Sequence, residues 1–361
     1  MTVRERFRKV FHYESVDSVP NLEFGYWKET IYRWHREGLP THITTIKEVE
    51  IYLGISHWGK APVNLRLLPP FKERVLEEDD RHMIIVNREG IKCEIKKDGT
   101  ASIPHYLEFP LKERKDWEEF KKRLNPEDFS RYPSDWDILK EDWEIRDYPL
   151  GIPCGSLYGY LRNWMGFERI SYTLYDDRAW IEEMVEYLAN FYMKVLEKAL
   201  EEVEFDYALF WEDIAFKTGP IISPSLFEEI LLPRYRKITS FLKEKGGIDV
   251  VIVDCDGNIN DLVPLWLEGG VNVMFPLEVQ AGSDPVRLRE KFGKKVLLMG
   301  GVDKMALIQG KSAIKRELQR LKPVVEEGGY IPHVDHRVPP DVSFKDYLYY
   351  LEAKKDILGV G

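Results

Sequence analysis

The 361-residue sequence has little cysteine, no excess of positive charge and no long apolar run. Cys93, Cys154 and Cys255 form no Cys-x-x-Cys pair, which excludes a disulfide framework and a zinc site made of cysteines alone. With 52 Lys and Arg against 62 Asp and Glu, the formal net charge is −10, which disfavours binding to nucleic acid or to an anionic membrane. No apolar stretch approaches the roughly 20 residues of a membrane span, and the amino terminus is charged. We therefore expect a cytoplasmic protein without nucleic-acid or membrane partners.

The residues that are present favour a large α/β protein. Apolar residues make up 44% of the chain and aromatic residues 13%, enough for a sizeable core. The carboxyl-terminal half alternates short apolar runs with helical patterns, which is typical of parallel strands buried on both faces. The predicted strands of this kind are 148–152, 207–211, 249–253, 271–275, 296–299 and 329–333.

Two further strands, at 18–24 and near 55–65, bring the predicted number to about eight. Eight parallel strands are what a closed (β/α)8 barrel, or TIM barrel, needs. An open doubly wound sheet is the alternative fold, but no G-x-G-x-x-G follows the first strand, so dinucleotide binding has no support. The sequence therefore predicts a (β/α)8 TIM barrel with extra N-terminal helices.

One segment breaks the parallel pattern. Between about 70 and 105, short apolar runs are separated by Glu89-Gly90 and Asp98-Gly99, pairs typical of hairpin turns. This predicts an antiparallel β-meander insertion within a single domain spanning 1–361. The pattern also predicts one long amphipathic helix over 177–203.

Polar side chains collect at the predicted carboxyl ends of the strands, where barrels of this type place their chemistry. These residues are Glu23, Glu212, Asp213, Asp254, Cys255, Asp256, Glu278, Asp303, Asp335 and His336. Eight of the ten are carboxylates. Acidic residues after a strand also cap the next helix, and for Asp213 and Asp303 that alternative is equally strong. Asp254 and Asp256 are stronger candidates, because residues i and i+2 of an extended chain point to one side.

A metal site is one function that these residues could serve. His333 and His336 lie in a proline-bounded loop after the last predicted strand, and one of them could join Asp254 and Asp256 around zinc, although a hydrogen-bonded structural histidine is as common. Cys255 is more typical of a small buried side chain than of a nucleophile. Arg162 and Lys217, the basic residues nearest the strand ends, could bind a substrate carboxylate or simply pair with the acidic residues.

Several motifs together resemble the uroporphyrinogen decarboxylase (URO-D) superfamily. They are DCDGN at 254–258, PLE at 276–278, GGVD at 300–303 and the loop over 330–340. The resemblance implies a (β/α)8 barrel with one of two activities. One is decarboxylation of the acetate groups of uroporphyrinogen; the other is zinc-dependent methyl transfer between a corrinoid protein and an acceptor such as a thiol.

The resemblance also implies roles for single residues. His336 and Asp303 match the late histidine and a strand-end aspartate of the decarboxylase. The Arg-Gln-Ala-Gly-Arg-Tyr stretch of the decarboxylase is missing from this chain, which has Glu23-Phe24-Gly25-Tyr26-Trp27-Lys28 after the first predicted strand. The His-x-Cys pair and late Cys that hold zinc in the methyltransferases are similar in position to Asp254, Asp256 and His336. A mouth lined mainly by carboxylates would repel the eight carboxylates of uroporphyrinogen.

The resulting hypothesis is an enzyme for metal-dependent methyl transfer that involves a corrinoid protein and a small acceptor. The alternatives are a tetrapyrrole decarboxylase and a non-catalytic corrinoid or tetrapyrrole binding protein. A homodimer is conceivable from aromatic-rich helices containing Trp34, Trp136 and Trp143, although core packing would explain them equally well. The candidate residues are catalytic Glu212, Glu278, Asp303 and His336, substrate-binding Glu23, Trp27, Arg162, Lys217 and His333, and metal-binding Asp254, Asp256 and His336.

Overall fold

The computed structural model describes residues 1–97 and 103–361. Two of its sheets define the architecture, a parallel sheet of seven strands and an antiparallel sheet of four. The strands are β1 (Gly59–Lys60), β2 (Arg74–Glu78), β3 (His82–Val86), β4 (Lys92–Lys96), β5 (His105–Glu108), β6 (Leu150–Pro153), β7 (Tyr207–Trp211), β8 (Ala215–Phe216), β9 (Gly219–Pro220), β10 (Val251–Asp254), β11 (Val273–Phe275), β12 (Leu297–Met299) and β13 (Tyr330–Ile331).

Helices follow most of the parallel strands, as the alternating pattern predicts. They are α1 (Val3–Phe11), α2 (Lys28–Glu37), α3 (Ile46–Leu53), α4 (Arg114–Arg123), α5 (Trp136–Glu144), α6 (Gly159–Met165), α7 (Phe167–Asp176), α8 (Arg178–Glu202), α9 (Pro224–Leu226), α10 (Leu232–Gly246), α11 (Val263–Glu268), α12 (Pro285–Phe292), α13 (Lys304–Ile308), α14 (Lys311–Glu327) and α15 (Phe344–Leu358). The helix predicted over 177–203 is α8. Within the described ranges, no helix has the length and apolar character needed to cross a membrane.

The seven parallel strands are ordered β1-β6-β7-β10-β11-β12-β13, so that each strand pairs with the next strand of this sheet along the chain. Their apolar side chains are buried on both faces; Ala208 and Phe210 of β7 and Ile252 and Val253 of β10 are fully enclosed. This arrangement confirms the predicted fold class, a TIM-barrel-like α/β structure in which the sheet is curled. The carboxyl ends of the strands therefore open at one end of the sheet.

The strand predicted at 18–24 is wrong. This segment makes only an isolated bridge between Val19 and Val360, and Pro20 has no N–H to offer a ladder. The segment and the following Gly25 still lie between the two edge strands. On one side, the amide of Ser56, just before β1, donates to the carbonyl of Asn21 at 2.8 Å. On the other side, the amide of Val338, after β13, donates to the carbonyl of Gly25 at 3.0 Å. It thus occupies the eighth position of the barrel without forming a strand.

The antiparallel sheet β2-β3-β4-β5 lies between β1 and β6 in the chain. Strands β2, β3 and β4 confirm the antiparallel insertion predicted between about 70 and 105, whereas β5 was not predicted. At the Glu89-Gly90 turn, the Asn87 side chain accepts hydrogen bonds from the amides of Glu89 and Ile91, both at 3.0 Å. The predicted Asp98-Gly99 turn lies outside the described residues.

The three tryptophans that suggested a dimer belong to the core instead. Trp34, Trp136 and Trp143 are 0%, 4% and 6% exposed. Trp34 packs face to face with Tyr347 of α15, with ring centroids 4.8 Å apart. These side chains give no evidence for an interface between copies.

Candidate active site at the carboxyl ends of the strands

A cavity of about 480 Å³ opens at the carboxyl ends of β1, β6, β7 and β10. Lys60 is the last residue of β1, Pro153 the last of β6, Trp211 the last of β7 and Asp254 the last of β10, and all four line it. The segment 61–66 supplies one wall, and Arg337 contributes from the loop after β13. The volume is in the range of small-molecule sites.

The charged residues in this wall are mostly basic. Lys60, Arg66 and Arg337 face the same cavity, with Asp254 as the acidic member of the lining. Arg66 pairs with Glu89 at 2.9 Å, whereas Lys60 and Arg337 have no ion-pair partner in the part of the chain that the structure describes. None of the three cations was a predicted site residue, although Arg337 directly follows the predicted His336.

Asp254 carries the clearest electrostatic perturbation in the cavity. Burial raises its pKa to about 7, and the nearby charges of Asp256 and Asp213 add to the shift, while His336 and Lys60 oppose it. A carboxyl group that titrates near neutral pH can both accept and donate a proton there.

Asp256 and His336 form a charged pair beside Asp254. The His336 Nε2 atom lies 3.4 Å from Asp256 Oδ2, and the other oxygen, Oδ1, is buried with no hydrogen-bond partner among the described residues. Burial by itself would lower the pKa of His336, but the hydrogen bond and charge of Asp256, together with Glu278, raise it above its ordinary value. The structure therefore brings Asp254, Asp256 and His336 together as an acid–base cluster.

Asp254, Asp256 and His336 do not have the arrangement that the predicted zinc site requires. Over residues 1–97 and 103–361, no three His, Cys, Asp or Glu side chains are grouped so that they could hold a metal ion. His336 Nε2 pairs with Asp256 Oδ2 at 3.4 Å, and the raised pKa of His336 favours its protonated form. A zinc ligand must instead be a neutral imidazole with a free lone pair.

Glu212 lies next to the strand end but is fully buried. Its carboxylate accepts five hydrogen bonds, which hold the start of α6 against β7. The donors are Ser156 Oγ at 2.9 Å, the amides of Leu157, Tyr158 and Gly159 at 2.8, 3.0 and 3.2 Å, and Tyr235 Oη at 2.6 Å. Burial raises its pKa despite these bonds. A role as general base, as predicted, would require Glu212 to release some of these donors.

Glu278, Asp303 and Asp335 follow the strands β11, β12 and β13 respectively. Lys304 Nζ pairs with Glu278 at 3.3 Å and with Asp335 at 3.4 Å, and Glu278 also accepts from the Gly257 amide at 2.9 Å. Burial raises the pKa of Asp335 to about 6. Asp303 accepts from the Met305 amide at 2.9 Å. It therefore caps the start of α13, which was the alternative to a catalytic role.

Two of the predicted substrate-binding residues are in the core. Glu23 is 1% exposed and pairs with the fully buried Lys354 at 2.8 Å; it also accepts from Tyr350 Oη at 2.9 Å. His333 is fully buried, burial lowers its pKa to about 3, and its Nδ1 lies 2.8 Å from the Val334 carbonyl oxygen. Both residues anchor the segments that close the barrel and do not line the cavity.

The remaining predicted residues lie around the mouth. The Trp27 ring stacks on His336 with centroids 5.6 Å apart. Arg162 pairs with Asp213 at 3.0 Å, and Lys217 is exposed on the hairpin β8-β9. Cys255 is buried, and burial raises its thiol pKa well above the ordinary value, which is the opposite of an activated nucleophile.

A parallel α/β barrel with a charged cavity at the carboxyl ends of its strands defines the class of (β/α)8-type proteins whose site lies at that end. The chain belongs to the uroporphyrinogen decarboxylase (URO-D) family, whose profile matches residues 84–357. Residues 1–83, with β1 and the 61–66 wall, lie outside that match. No curated protein matches the sequence.

Two solved structures resemble this one. A methyltransferase from Methanosarcina mazei is 14% identical over 99% of both chains, with a TM-score of 0.64. A B12-independent methionine synthase from Shewanella sp. W3-18-1 is 12% identical, over 95% of this chain and 93% of that one, with a TM-score of 0.48. At these identities the first likeness shows the fold alone.

Proposed function

We propose that this URO-D family member transfers a methyl group to or from a small molecule bound in the cavity at the strand ends. The observation that carries the proposal is Asp254, whose carboxyl group faces that cavity and has a pKa of about 7. A base with this pKa can take the proton from an acceptor's S–H, O–H or N–H group while the methyl group arrives, and can return it in the reverse direction. His336, held by Asp256, lies near enough to favour the charged form of Asp254.

The methyl group would be exchanged with a corrinoid carried by a partner protein. Membership of the URO-D family, part of which exchanges methyl groups with corrinoid proteins, motivates this choice of donor. The Methanosarcina mazei protein of similar fold is a methyltransferase. When bound, the corrinoid would supply or accept the methyl group. The residues of this chain would hold the small molecule beside Arg337, which the Trp27 ring orients, and would move its proton to Asp254.

The test is methyl transfer from free methylcobalamin to a panel of thiols and phenols, followed by the change in corrinoid absorbance and by mass spectrometry of the product. We expect Asp254→Asn to lower the rate by about 10²-fold or more, the usual contribution of a general base. Asp261→Asn, an exposed aspartate outside the cavity, is the matched control. An unchanged rate in Asp254→Asn, or a wild-type rate that appears only when zinc is added, would contradict the proposal.

Decarboxylation of a small acid is a second candidate, favoured by the cations Lys60, Arg66 and Arg337 in the wall. They could hold a carboxylate while Asp254 supplies the proton that replaces CO₂. A cavity of about 480 Å³ is in the lower half of the range for ligand sites, which disfavours uroporphyrinogen itself. Release of labelled CO₂ from a panel of acids, without methyl transfer, would select this candidate. A bound pigment with neither reaction would instead indicate a binding protein.

A further inference from the structure

The charges around the cavity differ in sign from the charge of the whole molecule. The chain has a formal net charge of −10, yet Lys60, Arg66 and Arg337 face the cavity against Asp254 alone. Arg66 is already paired at the rim with Glu89. Lys60 and Arg337 have no ion-pair partner among residues 1–97 and 103–361, and burial lowers the pKa of Lys60. An anion bound in the cavity would stabilise the positive charge of both residues.

Arg337 is held in place without being neutralised. Its guanidinium lies 5.3 Å from the centroid of the Trp27 ring and 5.9 Å from that of Phe24. Contacts of this kind orient a cation by attraction to the ring and leave its N–H groups free. Within the described part of the chain, none of these N–H groups donates to protein, so the planar fork is available for a carboxylate, which it matches in geometry.

Apart from Asn64, most of the remaining wall is apolar. Several aliphatic and aromatic side chains complete the lining between the cations and the strand ends. They are Ala61, Pro62, Val63, Leu65, Tyr160, Leu209 and Trp211. A ligand that fills the cavity therefore buries an apolar body against these residues while its charged end meets Arg337 and Lys60.

We infer that this cavity binds a small organic anion with an apolar or aromatic body, its anionic group held by Arg337 and Lys60. The inference rests on the proposed function in taking this cavity as the substrate site, and it adds the chemical class of the substrate. The anionic end lies on Arg337 and Lys60, and the group that exchanges its proton faces Asp254. A neutral molecule of the same shape lacks the charge that these two residues complement.

The test is calorimetric titration of the whole protein with benzoate, and with benzamide as a neutral molecule of nearly the same shape. We expect benzoate to bind at least tenfold more tightly than benzamide, and Arg337→Gln to weaken benzoate binding about tenfold, the usual scale for a charged hydrogen-bonded contact. Arg337→Lys, which keeps the charge, should recover part of the loss. Arg316→Gln, an exposed arginine of α14, should bind benzoate as the wild type does.

Equal affinity for benzoate and benzamide, no benzoate binding, or an unchanged affinity in a folded Arg337→Gln protein would overturn the inference. Unfolding curves of each variant establish that it is folded; if Arg337→Gln is not, Lys60→Gln gives the same test. Benzoate binding through Arg337 without any methyl transfer would overturn the proposed function and leave this inference standing. Methyl transfer to a neutral acceptor at an undiminished rate in Arg337→Gln would overturn this inference and leave the proposed function standing.

Discussion

Replacing Arg131 with methionine tests what holds the cavity wall. Arg131 is 1% exposed, and its guanidinium contacts carbonyl groups and the face of Phe191, 4.5 Å from the ring centroid. No carboxylate pairs with it within the described residues. Its acceptors are the carbonyl oxygens of Asn125 at 2.7 Å, Asn64 and Arg123 at 2.9 Å, and Arg66 at 3.0 Å. One buried side chain therefore joins the 61–66 wall to the end of α4.

The size of the expected loss follows from those acceptors. Methionine fills much of the space but donates nothing. The Arg123 carbonyl keeps the Leu68 amide as a donor at 2.8 Å, whereas those of Asn125, Asn64 and Arg66 lose the donor that the structure gives them. A buried acceptor without a partner costs about 1–3 kcal/mol. The three carbonyls are partly buried, so water recovers part of this cost. We expect Arg131→Met to lower the free energy of unfolding by about 3–4 kcal/mol.

Urea unfolding measures this loss, and benzoate titration measures its effect on the cavity. Arg131→Lys keeps the charge and should retain part of the stability, because an ammonium group can donate to one or two of the carbonyls but not to all. Arg316→Met, on the exposed surface, is the control and should change stability by less than about 0.5 kcal/mol. A loss below about 1 kcal/mol in Arg131→Met would refute the reasoning, since the carbonyls would then be satisfied without the guanidinium.

Three further changes have expected outcomes. Burial raises the pKa of Asp254 to about 7, so the folded protein binds this proton more tightly than the unfolded chain does. The stability from this group is therefore lost as pH rises from about 4 to 7. Asp254→Asn should raise Tm over wild type above pH 7 and not at pH 4, measured in EDTA. Lys354→Met should cost about 3–5 kcal/mol in urea unfolding by leaving Glu23 buried and unpaired, and the double variant with Glu23→Gln should recover much of it. Gly300→Ala should lower Tm or abolish folding, because its Cβ would lie 1.9 Å from the Pro276 carbonyl oxygen at a φ of +103°.

The fold was predictable because the parallel strands are continuous apolar runs. The prediction for 207–211 coincides with β7, and the other five carboxyl-terminal strands lie within two residues of the predicted runs at their start or end. The segment 18–24 was mistaken for a strand because its composition is similar. Its conformation depends on bonds to Ser56 and Val338, which are far away in the chain.

The candidate site was predictable only where strand ends determine position. Asp254, Asp256 and His336 lie together, as expected, because all the parallel strands end at one side of the sheet. The cations were missed for the opposite reason. Arg66 belongs to a wall whose path depends on Arg131, 65 residues away, and nothing local to Arg66 indicates that contact.

The placement of charge also changes what the net charge of −10 implies. Counted along the chain, the strand ends are dominated by carboxylates, and a polyanionic substrate was expected to be repelled. In the structure most of those carboxylates are already compensated: Glu23 by Lys354, Glu212 by five donors, Asp213 by Arg162, and Glu278 and Asp335 by Lys304. Lys60 and Arg337, which line the cavity, have no ion-pair partner in the described chain. A site inside an acidic protein can therefore select an anion, because selectivity depends on which charges remain uncompensated at the surface that the ligand meets.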